Sequence, residues 1–303
     1  MKKDWIRRIL MILLACVFLT CGGIVLASRY KYIVNDRLNR KAVESFTVQR
    51  NVSQSVSGSA SASSAAQSDS TASAAQQNGI GAGMQTDGTG AESEAPEIYR
   101  EVPIEVDFEA LKEINPEIIG WIYCEDTVIN FPVAQARDND YYLSHSYDRS
   151  SNGCGTVFAD AMNRRDFADS NTILYGHHLS NGSMFSTLEN WMEQEYFDEH
   201  SVMWILTPEQ DYRVELFSTY YISATGDAYT IIQEPTRQLD EYLAKAKERS
   251  VVNADVELDG QAKYVMLSTC AYVFELSRAV LHGKMVPVAS AGGVPFVTAD
   301  IQN

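Results

Sequence analysis

The sequence predicts a mainly β fold: an eight-stranded, closed or nearly closed β-barrel with helical additions, behind an apolar N-terminal segment and a low-complexity stretch. Three observations carry this expectation. Short runs rich in Val, Ile, Tyr, Phe and Thr recur from Gly120 onward. Turn residues such as Asn152-Gly153, Pro208 and Asp259-Gly260 punctuate them, a spacing that suggests a barrel. Two other stretches carry helical spacing instead.

Ile9 to Ala27 contains no charged residue and follows Lys2, Lys3, Arg7 and Arg8. About 20 apolar residues suffice to cross a bilayer as a helix. A cleaved secretory signal is the competing reading, but Leu26-Ala27-Ser28 is a poor cleavage site, so an uncleaved anchor is favoured. Cys16 follows Leu-Leu-Ala as in a lipid-attachment site. The apolar run continues past it, so Cys16 and Cys21 read as ordinary residues of the span. The leading positive charges predict a cytoplasmic head at residues 1–8, a transmembrane anchor at 9–27, a basic juxtamembrane segment at 28–50 and everything beyond outside the cell.

Residues 51–97 are dominated by Ser, Ala, Gly and Gln and contain no Lys or Arg. Such a composition cannot bury enough apolar surface to offset chain entropy. It predicts a disordered linker holding an extracellular domain, residues 98–303, at some distance from the membrane.

Within that domain, Phe108, Leu111 and Ile114 recur every three residues, a short amphipathic helix that Pro116 ends or restarts. Eight strand-like runs follow: Gly120 to Tyr123, Val128 to Val133, Gly155 to Phe158, Thr172 to Tyr175, Met203 to Thr207, Tyr212 to Ile222, Tyr264 to Ser268 and Ala279 to Val288. Between the sixth and seventh, Glu234 to Arg249 has the charge pairs of an exposed helix.

Charge and cysteine content exclude several function classes. Of the net charge of −16, the first 50 residues carry +7 and the rest −23, so the body is acidic and unsuited to nucleic acid. Outside the apolar segment only Cys124, Cys154 and Cys270 remain, with no CxxC, which leaves no zinc ribbon and no dense disulfide framework. A disulfide between Cys124 and Cys154 is one arrangement open to them, leaving Cys270 alone.

Cys270 ends the run Tyr-Val-Met-Leu-Ser-Thr, where a barrel strand reaches a cleft. His177 follows the strand-like run that ends at Gly176, and a cysteine nucleophile needs such an imidazole to stabilise its thiolate and protonate a leaving group. Arg278 is a permanently charged donor suited to an oxyanion or a substrate carbonyl. The bland alternative is a buried, unreactive cysteine. Alternation along a strand sends the neighbouring His178 to the opposite face and gives His282 the face of Arg278, so both read as packing residues. His145 and His200 lie in polar loop contexts.

These residues resemble the class B sortases, membrane-anchored cysteine transpeptidases of Gram-positive bacteria. Leu267-Ser268-Thr269-Cys270 is similar to the family's cysteine signature, Tyr175-Gly176-His177 to its histidine strand, and Arg278 to its arginine. Asn115-Pro116, Ile119-Gly120-Trp121-Ile122, Pro132-Val133 and Asp138 to Leu143 are similar to its N-terminal segment. Met266 and Ala271 depart from the pattern, where members commonly carry Thr and an acidic or polar residue.

The resemblance implies a sortase-like barrel in which Cys270, His177 and Arg278 are catalytic and no metal or organic cofactor is required. It implies that Asn139, Leu143, Tyr175, Thr225, Tyr229, Ser268 and Thr269 line the substrate groove. The implied substrates are secreted proteins with a C-terminal Asn-Pro-x-Thr-x-like sorting motif, cleaved after Thr through a thioacyl enzyme and joined to an amine of the peptidoglycan precursor. Two other functions compatible with the residues are a membrane-tethered peptide-binding barrel without catalysis and a cysteine protease releasing its product to water.

Overall fold

The computed structural model describes residues 2–50 and 102–288. Residues 51–97 and the last part of 98–303 therefore lie outside the described residues, as does the expected disorder of the former. Helix α1 spans Lys2–Phe46, strand β1 Thr47–Gln49, β2 Ile104–Val106 and α2 Phe108–Ile114. Eight further strands follow: β3 Ile118–Tyr123, β4 Asn130–Ala134, β5 Val157–Ala159, β6 Asn171–Tyr175, β7 Val202–Leu206, β8 Tyr212–Ser223, β9 Lys263–Cys270 and β10 Ser277–Pro287. They close into a barrel of order β10-β8-β7-β3-β4-β5-β6-β9. All eight match the runs marked in the sequence, within a few residues at each end. The β4–β5 and β6–β9 pairs are parallel and the remainder antiparallel.

The inner face of the barrel packs Ile122, Val133, Leu174, Ile205, Val265 and Leu281 into one apolar cluster. Each such side chain contributes about 2 kcal/mol on leaving water. On the outside of β6, β8, β9 and β10 lies α4, Arg237–Arg249. The charge pairs of this helix predict an exposed element, but Leu239, Tyr242, Leu243 and Ala246, spaced as one helical stripe, are buried. They cover Ile173, Tyr264, Met266 and Val280. Strand β9 is thus buried on both faces, which is why it reads as a continuous apolar run instead of an alternating one.

An unforeseen segment caps the interior. A 3-10 stretch at Phe185–Met192 and helix α3 at Gln194–Glu199 send Phe185, Leu188, Trp191 and Phe197 into the barrel cluster. Cys124 and Cys154 are both buried and both free, so the disulfide considered from the sequence is not formed. Cys124 Sγ lies 3.5 Å from the Val202 carbonyl oxygen, and Cys154 sits within the electrostatic reach of Asp36 and Lys31 of α1.

Helix α1 continues well past the apolar run, and its C-terminal half, within the basic segment 28–50, packs against the barrel. Asn35 is fully buried, and its Oδ1 accepts a hydrogen bond from Asn152 Nδ2 at 2.9 Å. Asn39 Nδ2 points to Met184 Sδ at 3.6 Å, Ala42 and Phe46 are buried, and Phe46 meets Tyr147 edge-on. Together with Tyr32 these residues form one stripe with alternating three- and four-residue steps. Beyond Phe46, β1 pairs antiparallel with β2, and Arg50 N donates to Pro103 O at 2.9 Å. The chain on either side of residues 51–101 is therefore joined at a single point. Whatever that segment does, it does not set the distance between α1 and the barrel.

Replacing residues 51–101 with a link of about four Gly and Ser residues is expected to raise the thermal midpoint by several degrees, through about 2 kcal/mol less loop-closure entropy. Differential scanning calorimetry checks this, and a drop would show that the segment supports the fold.

His282 generates a second prediction. It is enclosed by Tyr220 and Tyr242, with Nε2 3.1 Å from Tyr220 OH and Nδ1 3.4 Å from Tyr242 OH. Burial, assisted by the positive charge of Arg249, pulls its pKa down to about 3. The unfolded chain takes up a proton at this residue near pH 6.5 while the native state stays neutral. Stability is therefore unaffected above pH 6.5 and falls as pH drops below it. The His282 contribution at pH 5 is expected to be a loss of about 2 kcal/mol. Urea unfolding of wild type and His282→Gln at pH 7 and pH 5 measures it as a shallower acid dependence in the variant.

Candidate active site

Strand pairing brings together the three residues singled out in the sequence. In the parallel β6–β9 pair Tyr175 stands opposite Ser268, and Gly176 N donates to Ser268 O at 3.1 Å. His177 lies two residues beyond that rung, just past the end of β6, and Cys270 two residues beyond it at the end of β9, so both lie at the same end of the barrel. In the antiparallel β9–β10 pair Cys270 stands directly opposite Arg278.

Alternation then decides the face. Val265 and Leu267 of β9 point into the barrel, so Ser268 and Cys270 share the outer face with Tyr264 and Met266. Arg278, paired with Cys270, takes the same face. On β6, Leu174 is inside and Tyr175 outside, and continuing the alternation carries His177 outward. Cys270 is half-buried and, among the described residues, its sulfur makes no hydrogen bond.

Each member is held by its own surroundings. His177 Nε2 lies 2.8 Å from the Leu143 carbonyl oxygen, which can only accept. This bond fixes the hydrogen on Nε2 of the neutral ring and leaves Nδ1 as the free acceptor. Gly155 supports the ring from below with φ +64°, and a Cβ there would meet Tyr142 O at 2.5 Å and His177 Cδ2 at 2.9 Å. Arg278 Nη1 donates to the carbonyl of Ser277 at 3.0 Å. Tyr229 reports on the convergence: burial raises its phenol pKa, its bond to Ser268 and the Arg278 charge lower it, and Cys270 raises it.

The residues expected to line the groove fall into three groups. Tyr175, Tyr229 and Ser268 form one wall beside Cys270: Tyr229 OH is 2.8 Å from Ser268 Oγ, and the Tyr175 and Tyr229 rings stack at 6.3 Å. Asn139 joins this wall through Asp160, whose Oδ2 accepts both Asn139 Nδ2 at 2.9 Å and Tyr175 OH at 2.8 Å. Burial, together with the Asp160 carboxylate, keeps the Tyr175 phenol pKa well above its ordinary value. Leu143 contributes its carbonyl to His177 and exposes its side chain, and Thr225 is exposed in the β8–α4 connection, 3.2 Å from Ser223 Oγ.

Thr269 alternates with Ser268 and Cys270 along β9, so it takes the inward face of Leu267, although like Ser268 it is 2 % exposed.

Two residues central to this geometry escape the sequence patterns. Gly155 reads as the start of a strand, although its position after Asn152-Gly153 marks a turn. Asp160 carries no signal, because its partners Asn139 and Tyr175 are distant along the chain. His178 Nε2 meets Glu189 Oε2 at 3.1 Å. His145 and His200 stack on Tyr141 and Tyr196. Among the described residues no group of three or more His, Cys, Asp or Glu is arranged to hold a metal ion.

No family model matches the chain. Comparison with characterised proteins is decisive: Sortase B of Listeria monocytogenes serovar 1/2a (strain ATCC BAA-679 / EGD-e) is 36% identical over 180 residues, covering 58% of this chain and 72% of that protein. The chain belongs to the class B sortases. Its sortase barrel superimposes on the Staphylococcus aureus sortase B–substrate complex with TM-score 0.57 and 30% identity, covering 60% of this chain and 85% of that one. A sortase B complexed with triglycine gives TM-score 0.56 and 33% identity over 60% of this chain and 86% of that one. As a class B sortase, the chain is a cysteine transpeptidase of the sortase type.

Gly155→Ala places a methyl group against the His177 ring in a backbone region that favours glycine. Displacement of the imidazole by about 1 Å is expected to lower kcat/KM by roughly 10²-fold. Steady-state peptide cleavage, with circular dichroism to verify folding, checks the expectation. An unchanged rate would show that the ring does not depend on this contact.

Proposed function

We propose that Cys270 is the nucleophile of this sortase, His177 its acid and base, and Arg278 its oxyanion donor. The observation that carries the proposal is the register of β6, β9 and β10, which sets an imidazole, a thiol and a guanidinium across one outward sheet edge. The Cys270 thiolate attacks the carbonyl carbon of a Thr in an Asn-Pro-x-Thr-x-like sorting motif of a secreted protein. Arg278 donates to the oxygen that gains charge. Collapse of the tetrahedral species breaks the Thr–x amide, the imidazolium of His177 protonates the departing amine, and a thioester to Cys270 remains.

An incoming amine then gives its proton to His177 and attacks the thioester. The Thr becomes amide-linked to the amine, and Cys270 leaves as thiolate. That a sortase B complexed with triglycine resembles this chain supports an amine-bearing acceptor, and the similarity to the substrate complex supports a peptide donor. The acceptor we propose is an amine of the cell wall precursor. Tyr175, Tyr229 and Ser268 form the groove wall, with Asn139, Leu143 and Thr225 at its margins.

Helix α1 is long and apolar enough to cross a membrane from Leu10 onward. We assign residues 9–27 to a single span, with the barrel on the extracellular side. The sorting peptide and the acceptor then meet the enzyme where both emerge from the bilayer.

Quenched-fluorescent sorting peptides presented to the full chain in lipid nanodiscs test the assignment. Cys270→Ala and His177→Ala are each expected to lower turnover by at least roughly 10³-fold without unfolding the barrel. Near-wild-type turnover in either variant contradicts it. Product analysis with and without added triglycine separates transfer from hydrolysis. A native Cys270 that resists alkylation and cleaves nothing identifies a binding barrel instead.

A further inference from the structure

The β9–β10 loop presents an apolar surface that the proposed mechanism does not use. Tyr272, Val273, Phe274 and Leu276 are 79%, 60%, 47% and 59% exposed, although they directly follow the site strand. The loop is not loose. Ser277 is fully buried, its Oγ donates to Ala271 O at 2.7 Å, and the same oxygen accepts Val273 N at 3.2 Å and Phe274 N at 3.3 Å. Leu276 adopts φ +58°, and its carbonyl accepts Ala224 N at 2.9 Å. A pinned backbone therefore holds four apolar side chains outward. Leaving a patch of this kind in water is unfavourable, and such patches mark interaction surfaces.

Position identifies the partner. The Tyr272 ring meets His178 edge-on at 5.3 Å, placing the apolar loop beside the loop that follows His177. That second loop touches α1: Ser180 Oγ lies 2.9 Å from Tyr32 OH. Tyr32 is five residues beyond Ala27, so it stands about 7.5 Å past the end of the apolar span along a continuous helix. Headgroup regions occupy roughly 5–8 Å on each side of the hydrocarbon core. Arg29, Tyr30 and Lys31, all exposed, have the composition of that zone. The remaining contacts of α1 with the barrel, through Asn35, Asn39, Ala42 and Phe46, lie progressively farther out.

From this continuity we infer that the Tyr272–Leu276 loop docks into the interface of the bilayer that α1 crosses, inserting Tyr272, Val273, Phe274 and Leu276 among lipid headgroups and upper acyl chains. The partner is the lipid bilayer itself. Two attachments, the span and the loop, then fix the orientation of the barrel and bring the Cys270 edge down to the membrane surface. The inference rests on the assignment of residues 9–27 to a span and is independent of the catalytic roles.

The test uses the full chain in nanodiscs of phosphatidylglycerol and phosphatidylcholine, with a benzophenone amino acid placed singly at Leu14, Val48 or Phe274. Val48 is exposed and lies beyond Phe46, about 20 Å farther out along α1 than Tyr32. Strong lipid adducts at Leu14 and Phe274, at least five-fold above Val48, support the inference. Adducts at Leu14 with none above the Val48 level at Phe274 overturn it while leaving the span intact. Adducts at neither Leu14 nor Phe274 overturn the span and the inference together. A Phe274 probe that forms adducts with an added sorting peptide in place of lipid also overturns it, assigning the loop to substrate.

Discussion

The site depends on one pairing, the parallel register between β6 and β9. Because Tyr175 faces Ser268 across that pair, the next two steps along each strand deliver His177 and Cys270 to the same end of the barrel. A slip of one residue would turn every side chain of one strand to the other face and send either the imidazole or the thiol inward. The register is defended by burial on both sides. Leu174, Val265 and Leu267 fill the barrel, and Ile173, Tyr264 and Met266 lie under α4. Side-chain packing on both faces of the pair thus holds the register that places the two groups.

Around that rung, the positioning groups come from segments far apart in the chain. Leu143 and Gly155 hold the His177 ring from the long β4–β5 connection, and Asp160 ties Asn139 to Tyr175. The same connection is braced from behind by α1 through Asn152 and Tyr147. Helix α1 and the loop that holds the His177 ring therefore share one packed interface, so the proposed catalytic geometry and the proposed membrane attachment are mechanically continuous.

Much of this is legible in the sequence because it is written in local patterns. The eight barrel strands show as β-rich runs between turn residues, and Cys270, His177 and Arg278 stand at their ends. Other features depend on contacts that no local pattern records. The stripe of α1 contains Asn35 and Asn39, polar residues that look solvent-facing until Asn152 and Met184 are placed opposite them. The charge pairs on α4 describe its outer surface and conceal the Leu239 to Ala246 stripe beneath. Adjacency groups Thr269 with Ser268, whereas strand alternation separates them onto opposite faces. Composition describes residues 51–97 as a linker, but only the β1–β2 pairing shows that the chain leaves and returns at one point.

The central claim is that Cys270, His177 and Arg278 act on one reacting carbonyl. A crystal structure of the protein carrying a sorting-peptide mimic bonded through its terminal carbonyl carbon to Cys270 Sγ tests this most directly. The account predicts the Arg278 guanidinium within about 3 Å of the former carbonyl oxygen and the His177 ring on the leaving-group side, with the peptide along Tyr229 and Ser268. An adduct whose oxygen is met by neither Arg278 nor His177, or whose peptide runs across another face of the barrel, would contradict it.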